Sequence, residues 1–137
     1  SEIAKLVQDY WDAYYLRQAQ CKSINQKMDW HAGCRVKTTK SGARIDWFYI
    51  QPVARGRKSL FKHIKMDSDA RSTETVVPFS KLQKAEKETI NYLVKQEKRV
   101  REVEKKIRDI KYQLSGVRRM AEARGYKDED FEGLDTD

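Results

Sequence analysis

The first 28 residues carry apolar side chains in alternating steps of four and three, a series that only Arg17 interrupts. This spacing repeats one side of an α-helix and resembles a heptad stripe. Leu6, Trp11 and Ala13 widen the stripe on one side, so the helix is expected to pack against more than one element. The pattern predicts a helix over residues 2–28, with its stripe formed by Ile3, Val7, Tyr10, Tyr14, Cys21, Ile24 and Met28.

A period of two begins at Cys34 and indicates β-structure. Residues 34–40 and 43–51 are predicted strands that flank a tight turn at Ser41-Gly42. The second strand is apolar on both faces, which is typical of a central strand. Residues 59–66 are predicted as a third strand after a turn at 54–57, with a short helix as the alternative. Together these segments predict a three-stranded antiparallel meander over 34–66.

A long helix is the clearest expectation for the rest of the chain. Residues 67–75 are polar and predict a loop, and Ser80 is the predicted N-cap of a helix over 80–124. Gly125 is well placed to end it. Apolar residues fall seven apart within this helix, and a second apolar position fills the same heptads, which favours a coiled-coil surface.

These elements predict one α+β domain over residues 1–127. The meander lies between the N-terminal and C-terminal helices, which are expected to pair as an antiparallel coiled-coil-like hairpin. Residues 128–137 carry six acidic and no basic side chains, and are expected to form a disordered tail.

The difference in helix length predicts a second chain as partner. The C-terminal helix is longer by roughly 25 Å, so part of its apolar stripe lacks a partner within the chain. Such a seam favours a homodimer; the alternative is that the helix bends, or the first helix slides, to cover it. The dimerisation residues predicted from the stripe are Val100, Val103, Ile107, Ile110, Leu114 and Val117.

Charge is distributed unevenly along the 137 residues. The chain carries a net charge of +8, and residues 35–71 alone carry +7, whereas residues 1–34 are neutral. A basic block around an aromatic strand is the usual footprint of a nucleic-acid-binding protein. The alternative is a basic surface that is merely solvated. The predicted DNA-binding residues are Arg35, Lys37, Lys40, Arg44, Arg55, Arg57, Lys58, Lys62 and Lys65.

Catalytic and metal-binding functions have weaker support in the sequence than nucleic-acid binding. Cys21, His31, Cys34 and His63 match no compact zinc-finger spacing, and no P-loop or nucleophile-elbow motif occurs. The sequence therefore predicts no enzyme activity and no cofactor. No apolar run approaches the length of a membrane span, and no signal-peptide layout is present, so a cytoplasmic protein with two free thiols is expected.

The segments YWDAYY, GARIDWFYIQP and LSGVRRMAEARGY, together with the overall layout, resemble MobI-type mobilisation proteins. These proteins belong to SXT-like integrative conjugative elements and related plasmids. The resemblance covers most of the chain and transfers no individual functional residue. It implies an accessory protein of a mobile genetic element that recognises an origin of transfer and assists a relaxase, within a relaxosome, in conjugation.

The sequence thus predicts a dimeric protein that binds double-stranded DNA and acts by positioning rather than by chemistry. One alternative is a protein-interaction module, such as a phage or plasmid inhibitor that binds an acidic host partner. Another is an RNA-binding protein, which exposed rings at Trp47 or Tyr49 would favour. A small metal-dependent nuclease is the enzyme alternative.

Overall fold

The computed structural model describes residues 1–51, 60–66 and 76–127. Its elements are helix α1 (Glu2–Ser23), strands β1 (Ala32–Thr39), β2 (Gly42–Gln51), β3 (Leu60–Lys65) and β4 (Val76–Pro78), a 3₁₀ turn (Phe79–Lys81) and helix α2 (Lys84–Ala123).

The sheet has the strand order β1-β2-β3-β4. The first three strands are antiparallel, which confirms the predicted meander and the α+β class. β3 is a strand, as predicted, rather than a short helix. β4 was not predicted and pairs in parallel with β3, placing His63 opposite Val76. The predicted turn at 54–57 and loop at 67–75 lie outside the described residues.

α1 ends at Ser23, five residues before the predicted end at Met28. Asn25 adopts a positive φ of 57°. The amide of Gln26 donates to the carbonyl of Cys21, and that of Asn25 donates to the carbonyl of Lys22. This is a Schellman ending with asparagine in the left-handed position, a residue that tolerates that conformation better than most. A heptad stripe cannot reveal such an ending.

α2 begins at Lys84, later in the chain than the helix start predicted from a cap at Ser80. The Gln83 side-chain oxygen accepts the amide of Glu86 at 3.0 Å and the indole N–H of Trp30 at 3.2 Å. Gln83 therefore fixes the first turn of α2 against the segment before β1. At the other end, Gly125 has a φ of 97° and closes a second Schellman motif, as predicted.

Aromatic rings form the centre of the core. Tyr10 is fully buried, and its ring centroid lies 5.0 Å from that of Trp47 and 6.2 Å from that of Trp30. α1 packs mainly against β1 and β2. Within the described ranges the apolar stripe of α1 therefore packs against the sheet, whereas the sequence pattern predicts a coiled-coil-like pairing of α1 with α2.

The outer edge of β1 is covered by three side chains from the two helices, which we call the β1 edge cap: Tyr10, Trp11 and Glu86. The Tyr10 hydroxyl donates to the carbonyl of Ala32 at 2.6 Å, and the Trp11 indole donates to the carbonyl of Cys34 at 3.0 Å. Burial raises the pKa of Tyr10, and Glu86 raises it further, so its hydroxyl remains a donor.

Glu86 completes the cap from the first turn of α2. One carboxylate oxygen accepts the amides of His31 at 2.8 Å and Ala32 at 2.5 Å. Glu86 has no exposed surface, and its second oxygen has no hydrogen-bond partner in the described part of the chain. Burial raises the pKa of Glu86, although the amides that donate to it act in the opposite direction.

The chain divides into two compact units, residues 1–98 and 99–137. The first unit contains the sheet, α1 and the start of α2. In the second unit, α2 continues from Arg99 to Ala123 and nearly all of its side chains are exposed or half-exposed. Neither helix in the described ranges combines the length and the apolar composition needed to cross a bilayer.

Glu86→Ala is expected to lower the free energy of unfolding by about 3 kcal/mol at neutral pH. The substitution leaves two buried amides without an acceptor and opens a cavity. Glu86→Gln keeps an acceptor oxygen and should lose less. Chemical denaturation would measure both variants against Glu88→Ala, an exposed carboxylate on the same helix. Equal losses for the alanine variants at the two positions would contradict the role of the cap.

The stability of the protein should also depend on pH through Glu86. Its native pKa lies above its unfolded value near 4.5, so the native state binds this proton more tightly. The stabilisation is complete below the unfolded pKa and is lost as pH rises through the native pKa. Subtracting the unfolding free energy of Glu86→Gln from that of the wild type, from pH 4 to 8, should give a difference that falls with pH. A flat difference would contradict the raised pKa.

Candidate nucleic-acid interface

The β1–β2 hairpin turns at Lys40-Ser41, one residue before the predicted Ser41-Gly42 turn. Thr39 pairs with Gly42 across the turn, and the Thr39 hydroxyl donates to the carbonyl of Gly42 at 2.8 Å. Gly42 has a φ of 116°, which favours a residue without a Cβ. This geometry places Lys40 at the exposed tip of the hairpin.

The register of the hairpin separates a basic face from a buried one. Arg35 pairs with Asp46, and Lys37 pairs with Arg44. Directly opposed residues of antiparallel strands share a face, so these four side chains lie together. Ile45 and the other core residues of β2 alternate with them and point to the opposite face. We call Arg35, Lys37, Lys40 and Arg44 the basic hairpin face.

Arg35 is held in place on this face. Its Nε donates to Asp46 at 2.9 Å, and its guanidinium carbon lies 5.8 Å from the centre of the Phe48 ring. The Arg35 side chain is nevertheless 73% exposed. An exposed ion pair stabilises the fold little, but it restricts where the guanidinium points. Asp46 also lies 3.9 Å from His63 on β3.

The other three cations differ from Arg35. Lys37, Lys40 and Arg44 are exposed, and the described residues provide no carboxylate within ion-pair distance of them. Arg44 donates instead to the hydroxyl of Ser41 at 3.1 Å. Neighbouring cations that form no ion pair repel each other, and a bound anion would relieve that repulsion.

The remaining predicted DNA-binding residues are not all brought to this face. Lys62 on β3 pairs with Tyr49, and so belongs to the opposite face by register. It is exposed and lines a cavity of about 250 Å³ together with Arg35 and His63. The backbone of Lys65 ends β3, but its side chain lies outside the description. The predicted positions Arg55, Arg57 and Lys58 lie outside the described residues.

The pairing of β2 with β3 ends where His63 lies opposite Phe48. Nearer the hairpin turn, the amide of Ile45 on β2 donates instead to the carboxylate of Glu97 on α2. A cleft of about 610 Å³ lies where the two strands are no longer paired. Among the described residues, the indole N–H of Trp47 is buried there without a hydrogen-bond partner.

The two aromatic residues considered for base stacking are not well exposed. Trp47 is 5% exposed and belongs to the core. Tyr49 is half-buried, and its ring lies 5.4 Å from that of His31. The exposure that would favour an RNA-binding surface is therefore absent at Trp47.

The cysteines are buried free thiols. Burial raises the pKa of Cys34 to about 12, with Glu97 adding to the shift, so the thiol remains protonated. Cys21 lies 3.7 Å from Asp29, whose carboxylate forms a two-point ion pair with Arg17. Across the described part of the chain, no group of three or more His, Cys, Asp or Glu side chains could hold a metal ion.

The six predicted dimerisation residues all lie on α2 in the second unit, and five of them are exposed to solvent. Val100 is half-buried. The other five are exposed by 39% to 57% of their surface: Val103, Ile107, Ile110, Leu114 and Val117.

Asp46 and Phe48 are the contributors to this site that the sequence analysis missed. Both lie within a predicted strand, but their partners depend on the register of the hairpin.

Comparison of the chain with protein-family models, curated proteins and solved structures finds no match.

Gly33→Ala is expected to disturb the support beneath Arg35. A Cβ at Gly33 would lie 2.8 Å from Cζ of Phe48 and 3.1 Å from the Trp11 ring, so the Phe48 ring must move. Thermal unfolding should show a loss of about 1–3 kcal/mol.

Gly116→Ala is the matched control, because a Cβ there meets nothing within 4 Å and the residue lies inside α2. Alanine is the better helix former, so this variant should gain up to about 1 kcal/mol. Equal effects of the two substitutions would contradict the close packing at Gly33.

Proposed function

We propose that the protein binds double-stranded DNA through the basic hairpin face. The observation that carries the proposal is the position of Lys37, Lys40 and Arg44. All three are exposed at the free end of a two-stranded ribbon and have no carboxylate partner in the described part of the chain. DNA phosphates would form ion pairs with these cations, and binding would release the ions condensed on the DNA.

The shape of the hairpin supports this target. A two-stranded β-ribbon fits the major groove of B-DNA. Alternate residues on a strand are about 7 Å apart, and opposed residues are about 5 Å apart, so the face presents its cations at close intervals. Arg35 is oriented by Asp46 and Phe48 and retains further N–H donors. In this arrangement Lys37, Lys40 and Arg44 contact phosphates, whereas Arg35 reads base edges.

The biological role that we propose follows from the resemblance to MobI-type proteins. The protein acts in the cytoplasm as an accessory factor that recognises an origin of transfer and helps a relaxase begin conjugation. Its contribution is to set position and register on the DNA, and the chemistry belongs to the relaxase. Preference for a duplex that contains an origin of transfer, rather than affinity for DNA alone, would support this role.

RNA and acidic proteins are the alternative partners of the same face. The burial of Trp47 removes one platform on which single-stranded bases could stack. Duplex DNA therefore has the stronger support, and both alternatives become outcomes of the binding experiment.

Replacing Lys37 and Arg44 with alanine should weaken DNA binding. If each contacts one phosphate, the slope of log affinity against log salt should fall by about 1.8 in magnitude. We expect at least about a tenfold loss of affinity at low salt. Fluorescence anisotropy from about 50 to about 200 mM KCl, a range that spans physiological ionic strength, would measure both, using a duplex from the protein's own genetic neighbourhood and a scrambled duplex of equal composition.

The matched control is Lys5→Ala with Lys22→Ala, which removes the same charge from exposed positions of α1. Equal losses for the two alanine pairs would mean that overall charge, and not this face, binds DNA. No binding to either duplex would reject the proposal, and tighter binding to single-stranded RNA would favour the RNA alternative.

A further inference from the structure

The second unit carries an apolar stripe with no cover in the described part of the chain. Met120 flanks it on one side and is 61% exposed. Tyr112 is 73% exposed but lies on the opposite face of the helix. Solvent-exposed stripes of this kind mark interaction surfaces. The stripe itself is formed by residues four and three apart: Val103, Ile107, Ile110, Leu114 and Val117.

We propose that this stripe binds the same stripe of a second copy of the chain, with the two helices antiparallel. This inference goes beyond the proposed function and does not depend on it. The heptads place Val100, Ile107 and Leu114 at one core position, and Val103, Ile110 and Val117 at the other. In an antiparallel pair, a residue at one of these core positions packs against a residue at the other core position on the partner helix.

One register satisfies both the core and the charges. It places Ile107 against Ile110 of the partner subunit, and Val103 against Leu114 of the partner subunit. Beside this core, Glu104 then faces Lys111 of the partner subunit, and symmetry repeats the pair. On the other flank Lys106 faces Gln113 of the partner subunit, so no like charges meet along these flanks. Flanking charges of this kind select partner and orientation in coiled coils.

The competing arrangements bring like charges together. Sliding the antiparallel pair by one heptad in one direction opposes Glu104 to Glu104 of the partner subunit. Sliding it in the other direction opposes Lys111 to Lys111 of the partner subunit, although Glu104 then faces Arg118 of the partner subunit. A parallel pair opposes Lys106 to Lys111 of the partner subunit twice, although Arg99 then meets Glu104 of the partner subunit. Like charges in these positions are destabilising, so the charges favour the first register.

Reversing one charge distinguishes these arrangements. In the proposed register, Lys111→Glu turns two attractive pairs into two repulsive ones, and the dimer dissociation constant should rise about tenfold. In a parallel dimer the same variant removes two repulsions and should tighten association. Glu104→Lys combined with Lys111→Glu restores the attraction, and should return the constant to within about threefold of the wild-type value.

Sedimentation equilibrium of the full chain would measure these constants. The matched control is Lys105→Glu, which makes the same charge change at an exposed position outside the predicted interface. Circular dichroism of each variant reports whether α2 is intact. A wild-type protein that remains monomeric at hundreds of micromolar would overturn the proposal, as would a Lys111→Glu variant that associates more tightly.

Disulfide cross-linking tests the orientation directly. Val103→Cys and Leu114→Cys variants should form a mixed disulfide dimer when combined under mild oxidation. Neither should bridge to itself, because like positions are about 16 Å apart along the proposed pair. A parallel dimer would give the reverse result and overturn the proposal. The wild-type chain under the same oxidation controls for Cys21 and Cys34, which are buried.

Discussion

Hydrogen bonding at the open edge of β1 is the constraint on which the first unit depends. A strand edge presents amides and carbonyls that need partners, and here the two helices supply them. Tyr10 and Trp11 reach the edge from α1, and Glu86 reaches it from the first turn of α2. These bonds fix both helices to the same few residues of β1. Packing of the aromatic core then follows, because Tyr10 belongs to the edge cap and to the ring cluster.

The location of the edge cap also explains where the candidate interface lies. The cap covers the beginning of β1, from His31 to Cys34. From Arg35 onward the burial pattern of β1 changes from buried to exposed. The far end of the hairpin therefore presents side chains to solvent while its near end is anchored in the core. This is a suitable arrangement for positioning cations on a rigid element.

The sequence pattern predicts the elements better than it predicts their contacts. Hydrophobic periodicity located both helices and the meander, because it reports which faces are buried. It missed the end of α1, since a left-handed Asn25 leaves no periodic signal. The predicted hairpin turn lies one residue too far along the chain, so the pairing that it implies for the cations is also wrong. A turn over Ser41-Gly42 would pair Lys37 with Asp46, whereas the observed turn pairs Arg35 with Asp46 and Lys37 with Arg44.

The separation in sequence between Glu86 and the edge that it covers has a consequence during synthesis. Tyr10 and Trp11 are made before β1, but Glu86 follows Ala32 by 54 residues. A ribosome-bound chain therefore has its first hairpin available before the residue that satisfies the amides of His31 and Ala32 has been made. During that interval the start of β1 resembles an unprotected edge strand, which can pair with another nascent chain. Completion of the first turn of α2 is the step that closes this route to aggregation.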